Sequence, residues 1–138
     1  MNDQFSITRL SRFGALVLGL LLTVYAFAAA NLPPQTSSQS GVTVKVTPRN
    51  LAGTEWEFTI VFDTHSQDLK DDPLKSAVLV VDGGAPSAPT GWQGDNPGGH
   101  HRKGVLRFKA AAASPANVEL RLQRPAESEP RVFRWQLR

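Results

Sequence analysis

Glu55–Asp63 reads E-W-E-F-T-I-V-F-D. Trp56, Phe58, Ile60 and Phe62 fall on one side of a two-residue period, and Glu55, Glu57 and Thr59 on the other. Successive side chains of a β-strand point to opposite faces, so this alternation predicts a strand with one apolar and one wet face. Removing four such apolar side chains from water contributes about 1.5–3 kcal/mol each. That places the strand at the centre of the core.

The same period extends outward on both sides. Val42, Val44 and Val46 alternate with Thr43, Lys45 and Thr47, a run that Pro48 is expected to end, with a turn at Asn50 and Gly53. Ala77–Asp82 is apolar on both faces, which suits an internal strand. Leu106 and Phe108 alternate with Arg107 and Lys109; Val118, Leu120 and Leu122 with Glu119 and Arg121; Phe133, Trp135 and Leu137 with Arg134 and Gln136. Trp56 and Trp135 lie in phase with the core faces. Between these runs, Thr64 and Gln67 have capping-box spacing, which predicts one helical turn stopped by Pro73. Six strands, or seven if part of a long loop pairs, predict an all-β antiparallel sandwich of immunoglobulin-like size over residues 41–138.

Ahead of it, residues 1–30 have the composition of an export signal. Arg9 and Arg12 precede the apolar stretch Phe13–Ala30, which ends in Ala28-Ala29-Ala30. Two readings follow: a cleaved signal peptide, or a helical anchor through residues 13–30 that tethers an outward-facing domain to the membrane. Residues 31–40, N-L-P-P-Q-T-S-S-Q-S, read as a flexible linker because they carry too little apolar surface to pack. The expected location is the periplasm or the exterior. With no cysteine in the chain, the fold must hold by packing, with or without a metal. Residues 1–30 contain Arg9 and Arg12 against Asp3, so 13 basic and 11 acidic side chains remain, a net charge of +2. That balance, with the signs interspersed, argues against a nucleic-acid partner.

The chemistry-bearing residues cluster around one connection. Between the strand patterns at Ala77–Asp82 and Gly104–Phe108 lie about 21 residues without clear periodicity, longer than most structureless connections. They contain Trp92 and end in G-G-H-H-R, with His100, His101 and Arg102; the third histidine, His65, closes the central strand in D-T-H-S. Neutral imidazole binds Cu and Zn well. His65 with His100 or His101, and a carboxylate such as Asp63, Asp68 or Asp95, would complete a site, although the spacing matches no standard zinc pattern. In a regular strand His100 and His101 would face opposite sides, a restriction that Gly98-Gly99 relaxes. The competing reading is structural: the histidines pin the 83–103 loop without metal. Trp92 likewise reads either as a wedge folding the loop onto the sandwich edge or as a stacking platform for a ligand. Ser66 beside His65 and Asp63 does not make a hydrolase, because near neighbours in sequence cannot supply nucleophile, base and orienter. No catalytic constellation is complete. The Gly-Gly pairs open no helix and so cradle no phosphate.

Asp63-Thr64-His65-Ser66, Trp92 with Gly94, and Gly98-Gly99-His100-His101-Arg102 with Gly104-Val105-Leu106 and Phe108 together resemble a family of small exported bacterial domains of unknown function. The resemblance spans Val42 to Leu137. It implies that His65, His100 and His101 belong to one site, and it implies no activity. The expectation is therefore a non-enzymatic exported binding domain with a Cu or Zn site at His65, His100, His101 and Asp63, and with Trp92 and Arg102 in the binding loop. The alternative is a structural or interaction domain meeting an unknown envelope or extracellular partner.

Overall fold

The computed structural model describes residues 32–112 and 114–138. The expected export segment, residues 1–30, lies outside the described residues. No helix among the described residues is long and apolar enough to cross a membrane.

The chain forms eight strands and one short helix: β1 (Gln35–Gln39), β2 (Val42–Asn50), β3 (Glu55–Thr64), α1 (Pro73–Ser76), β4 (Ala77–Val81), β5 (Gly91–Gly94), β6 (His101–Lys109), β7 (Asn117–Leu122) and β8 (Arg131–Gln136). They build two antiparallel sheets, ordered β1-β2-β3-β6-β5 and β4-β7-β8. The inner faces follow the alternation of the sequence. Val42, Val44 and Val46, then Trp56, Phe58, Ile60 and Phe62, then Leu106 and Phe108 come from the larger sheet. Leu79, Val118, Leu120, Leu122, Phe133 and Trp135 meet them from the smaller one. Phe58 joins the two layers, with its ring centroid 5.8 Å from that of Trp135 and 5.9 Å, edge-on, from that of Phe108. Offset and edge-on aromatic geometries of this kind add to simple area burial.

Four expectations need correction. First, residues 31–40 are not a linker throughout, since Gln35–Gln39 is strand β1, paired with β2. Ser40 and Gly41 both have positive φ (52° and 73°), as a two-residue hairpin turn with the twist of the strands demands. This strand has no buried apolar side chain and so left no periodic trace. Second, Pro48 does not end β2; the strand runs to Asn50 through a register irregularity, the kind of place where a strand tolerates proline. Third, no helical turn follows Thr64. The helix starts at Pro73, and the Asp72 side chain accepts from the Leu74 N–H at 3.1 Å. Proline has no N–H to lose at the first helical position, so it opens this turn and does not stop one.

Fourth, of the two alternatives for the connection over residues 83–103, the one in which part of it pairs holds, so it is not structureless throughout. Ser87 bridges the edge of β4 at Leu79, and Gly91–Gly94 pairs with β6 as the edge strand β5. Strand β6 itself begins at His101. Two glycines make the β5 pairing close. A Cβ on Gly94 would stand 2.3 Å from the Gly104 Cα, and one on Gly104 would stand 2.4 Å from the Trp92 ring. Trp92 therefore lies flat over Gly104. Gly104→Ala is expected to lift the ring, at about 1–3 kcal/mol for forced overpacking. Trp92 emission should shift to the red while Trp56 and Trp135 stay buried. An unchanged spectrum and melting curve would contradict this packing.

Candidate functional site

One pole of the sandwich collects the end of β3, the start of β6 and the β1–β2 hairpin. Asp63 and His101 are cross-strand partners on the outer face, and His101 Nδ1 contacts Asp63 Oδ1. Just beyond, the Thr64 N–H donates to the His100 carbonyl at 2.9 Å. The Leu69 N–H donates to the Gly99 carbonyl, and the Gly98 N–H returns to the Leu69 carbonyl at 2.7 Å. Gly98 and Gly99 hold φ of 119° and 72°, a path that L-residues rarely follow. The turn takes His100 out of the strand, so His100 and His101 are not bound to strictly opposite faces.

Asp68 fastens this turn from the other side. Its Oδ1 accepts from the Gly99 N–H at 2.7 Å, and Lys70 Nζ stands 3.2 Å from its Oδ2. The Lys70 contact first, and then the Gly99 N–H, hold the Asp68 carboxyl below its ordinary value. Asp95 caps the start of β6, its Oδ2 accepting from the Lys103 N–H at 2.8 Å.

Beneath the pole lies a charged framework absent from the sequence expectations. Arg102 is buried, donates to the carbonyls of Asp71 and Asp95, and sits with its guanidinium carbon 5.4 Å from the Trp92 ring centroid. Arg124 grips the Asp71 carboxylate through Nε at 2.8 Å and Nη2 at 3.1 Å, and reaches Glu127 at 3.2 Å. Arg131, whose side chain is fully enclosed, donates to both Glu127 oxygens and to the carbonyls of Ser37, Gln39 and Val42. All five of its N–H groups are spent. A buried charge is tolerable only with such complete pairing. The network ties the β1–β2 hairpin, the β3–α1 segment and the β7–β8 turn into one body. A sequence signal for it existed: Arg102, Arg124 and Arg131 each continue the inward phase of a strand, before Gly104-Leu106-Phe108, after Val118-Leu120-Leu122 and before Phe133-Trp135.

The pole is thus held by backbone bonds, Asp68 and buried arginines, and its imidazoles lie outside. His65, His100 and His101 are all exposed. Among the described residues, neither the His65 nor the His100 ring makes a hydrogen bond, and no group of three or more His, Asp or Glu side chains is already disposed around a metal position. Asp63 and His101 form a pair that is about half exposed or more on both sides; pairs of that kind contribute about 0–1 kcal/mol. Arg102 acts from within the fold, away from solvent. Trp92 is half-buried against the core edge, its Nε1 a long 3.5 Å from the Asp95 carbonyl.

Searches against protein-family models, curated proteins and solved structures found no match for the chain.

Proposed function

We propose that this chain is an exported, non-catalytic binding domain of immunoglobulin-like arrangement. Its histidine pole takes a divalent transition metal, Cu(II) or Zn(II), through His65 and His100 or His101 with Asp63. One observation carries the reading: three exposed imidazoles gather at one pole whose framework is fastened by other groups, with His101 already beside the Asp63 carboxylate and the His65 and His100 rings making no hydrogen bond among the described residues. Deprotonated imidazole is a good ligand for both ions, and Asp63 offers a carboxylate beside it. Binding would require the rings to turn toward one another, and their exposure leaves them that freedom. The second reading, a domain that meets an envelope or extracellular partner without metal, draws on the lack of a preformed three-ligand group among the described residues.

Calorimetric titration of residues 31–138 with each ion separates the two. The metal reading expects saturable binding that is lost in His65→Ala and in the double variant His100→Ala/His101→Ala and that weakens in acid as protons compete for the rings. At a hundredfold excess over Kd, linkage adds about 2.7 kcal/mol of stability, visible as a rise of several degrees in Tm. Absence of heat with both ions, and no shift in Tm, assigns the pole to the metal-free reading.

A further inference from the structure

The opposite pole carries a second site. A cavity of about 540 Å³ opens on the outer face of the three-stranded sheet, toward the end of β8. Its floor is the register row Val80, Glu119, Arg134, with Arg121 two residues along β7 and the Asn117–Gln136 pair at the rim. Pockets that hold small ligands fall in the range of roughly 300–1,000 Å³. Distance separates it from the histidines. Trp135 Nε1 donates to the Pro33 carbonyl at this end, whereas Arg131 reaches the Val42 carbonyl at the other. The six residues of β8 span roughly 17 Å between the two poles.

Glu119 organises the cavity. Its Oε1 accepts from Arg121 Nε and its Oε2 from Arg134 Nε. Burial works to raise the Glu119 pKa, and the bonds from Arg121 and Arg134 more than offset it, leaving the carboxyl below its ordinary value and ionised. Both carboxylate oxygens are occupied, and both guanidiniums are engaged through Nε. Among the described residues their terminal Nη groups have no other hydrogen-bond partner. Asp82, also at the rim, accepts from the Ala116 and Asn117 N–H groups at 2.9 and 2.8 Å. Arg121 and Arg134 share the lining with Glu119 and Asp82, so the charges balance, but Asp82 is turned to the backbone N–H groups of the rim, and the two guanidiniums present Nη groups of the kind that suits planar, two-point recognition of a carboxylate.

The geometry points to a binding site for the free carboxylate of a small ligand at Arg121 and Arg134, with the C-terminal end of a peptide as its occupant. Asn117 and Gln136 supply amide donors and acceptors for the adjoining peptide groups, and Val80 the apolar floor. A free organic acid shares the carboxylate but would leave those amides unused.

Titration with triglycine, C-terminally amidated triglycine and acetate tests this. Triglycine is expected to bind saturably, and removing its carboxylate by amidation should weaken it at least about tenfold, as for loss of a charge-assisted bond. Arg134→Gln should weaken triglycine to a similar degree with only a small fall in Tm, because the Arg134 side chain is largely exposed and its pair with Glu119 contributes little, and His65→Ala should have no effect. Equal binding of the free and amidated peptides, or no binding of triglycine, overturns the site. Acetate binding as tightly as triglycine overturns the peptide occupant in favour of a free acid.

Discussion

Trp56→Ala is expected to remove about 3–5 kcal/mol of stability, the range for truncating a buried aromatic. Trp56 is 1% exposed and lies across from Phe108 in the central pair of strands. Neither sheet can close over the vacated volume, because Phe58, Ile60 and Phe62 continue the same row and are held by pairing on both sides of β3. Domains of this size are stable by only about 5–15 kcal/mol, and with no cysteine in the chain no cross-link limits the unfolded state. Urea denaturation reads the effect as a large drop in midpoint. Glu55→Ala, on the exposed face of the same strand, should stay within about 0.5 kcal/mol. Equal midpoints for the two variants would mean that the apolar face of β3 does not form the core.

Arg131→Met is expected to cost about 3–5 kcal/mol, because it breaks a buried charge network by removing one partner. Methionine fills much of the volume, so the loss reads hydrogen bonding in place of packing. The carbonyls of Ser37, Gln39 and Val42 lose their donor, and Glu127 keeps only Arg124. Since Arg131 clasps the turn end of the β1–β2 hairpin to β8 while Gln35 keeps its bonds to the Arg134 backbone, amide exchange should rise first in Ser37–Gln39. A variant that melts like the parent, with β1 still protected, would show that the clasp is dispensable.

Acid reaches the same network through Glu127. The hydrogen bonds from Arg131 hold its carboxyl below the ordinary value against the opposing effect of burial. A carboxyl depressed in the folded state contributes stability that is full above its unfolded pKa and is lost as pH falls through the folded value. Stability should therefore decline from about pH 5 downward, and Glu127→Gln should flatten part of that decline. Asp68 and Glu119 are shifted in the same direction and account for further parts of it.

Period-two runs are a local property, and the chain spelled them out. Trp56-Phe58-Ile60-Phe62, Val118-Leu120-Leu122 and Phe133-Trp135 turn inward as their spacing dictates, because alternation in a strand is set by backbone geometry alone. The all-β, two-layer character followed from those runs. Of the candidate site, sequence spacing supplied the residue types, His65, His100, His101 and Asp63. The contact between Asp63 and His101, 38 positions apart, exists only because β3 and β6 are sheet neighbours. Strand β1 was invisible, and β5 stood only as an open alternative, for a related reason. Gln35–Gln39 buries no apolar side chain and is held by a ladder to β2 and by Arg131, 92 to 94 residues away from the carbonyls it reaches in that strand. Gly91–Gly94 pairs because Trp92 fits over Gly104. The buried arginines continue an inward phase, yet a strand pattern cannot say whether Asp71 and Glu127 will be there to receive them. Pairing between segments distant in sequence is decided by tertiary structure, where the cost of burying each charge is met or not met.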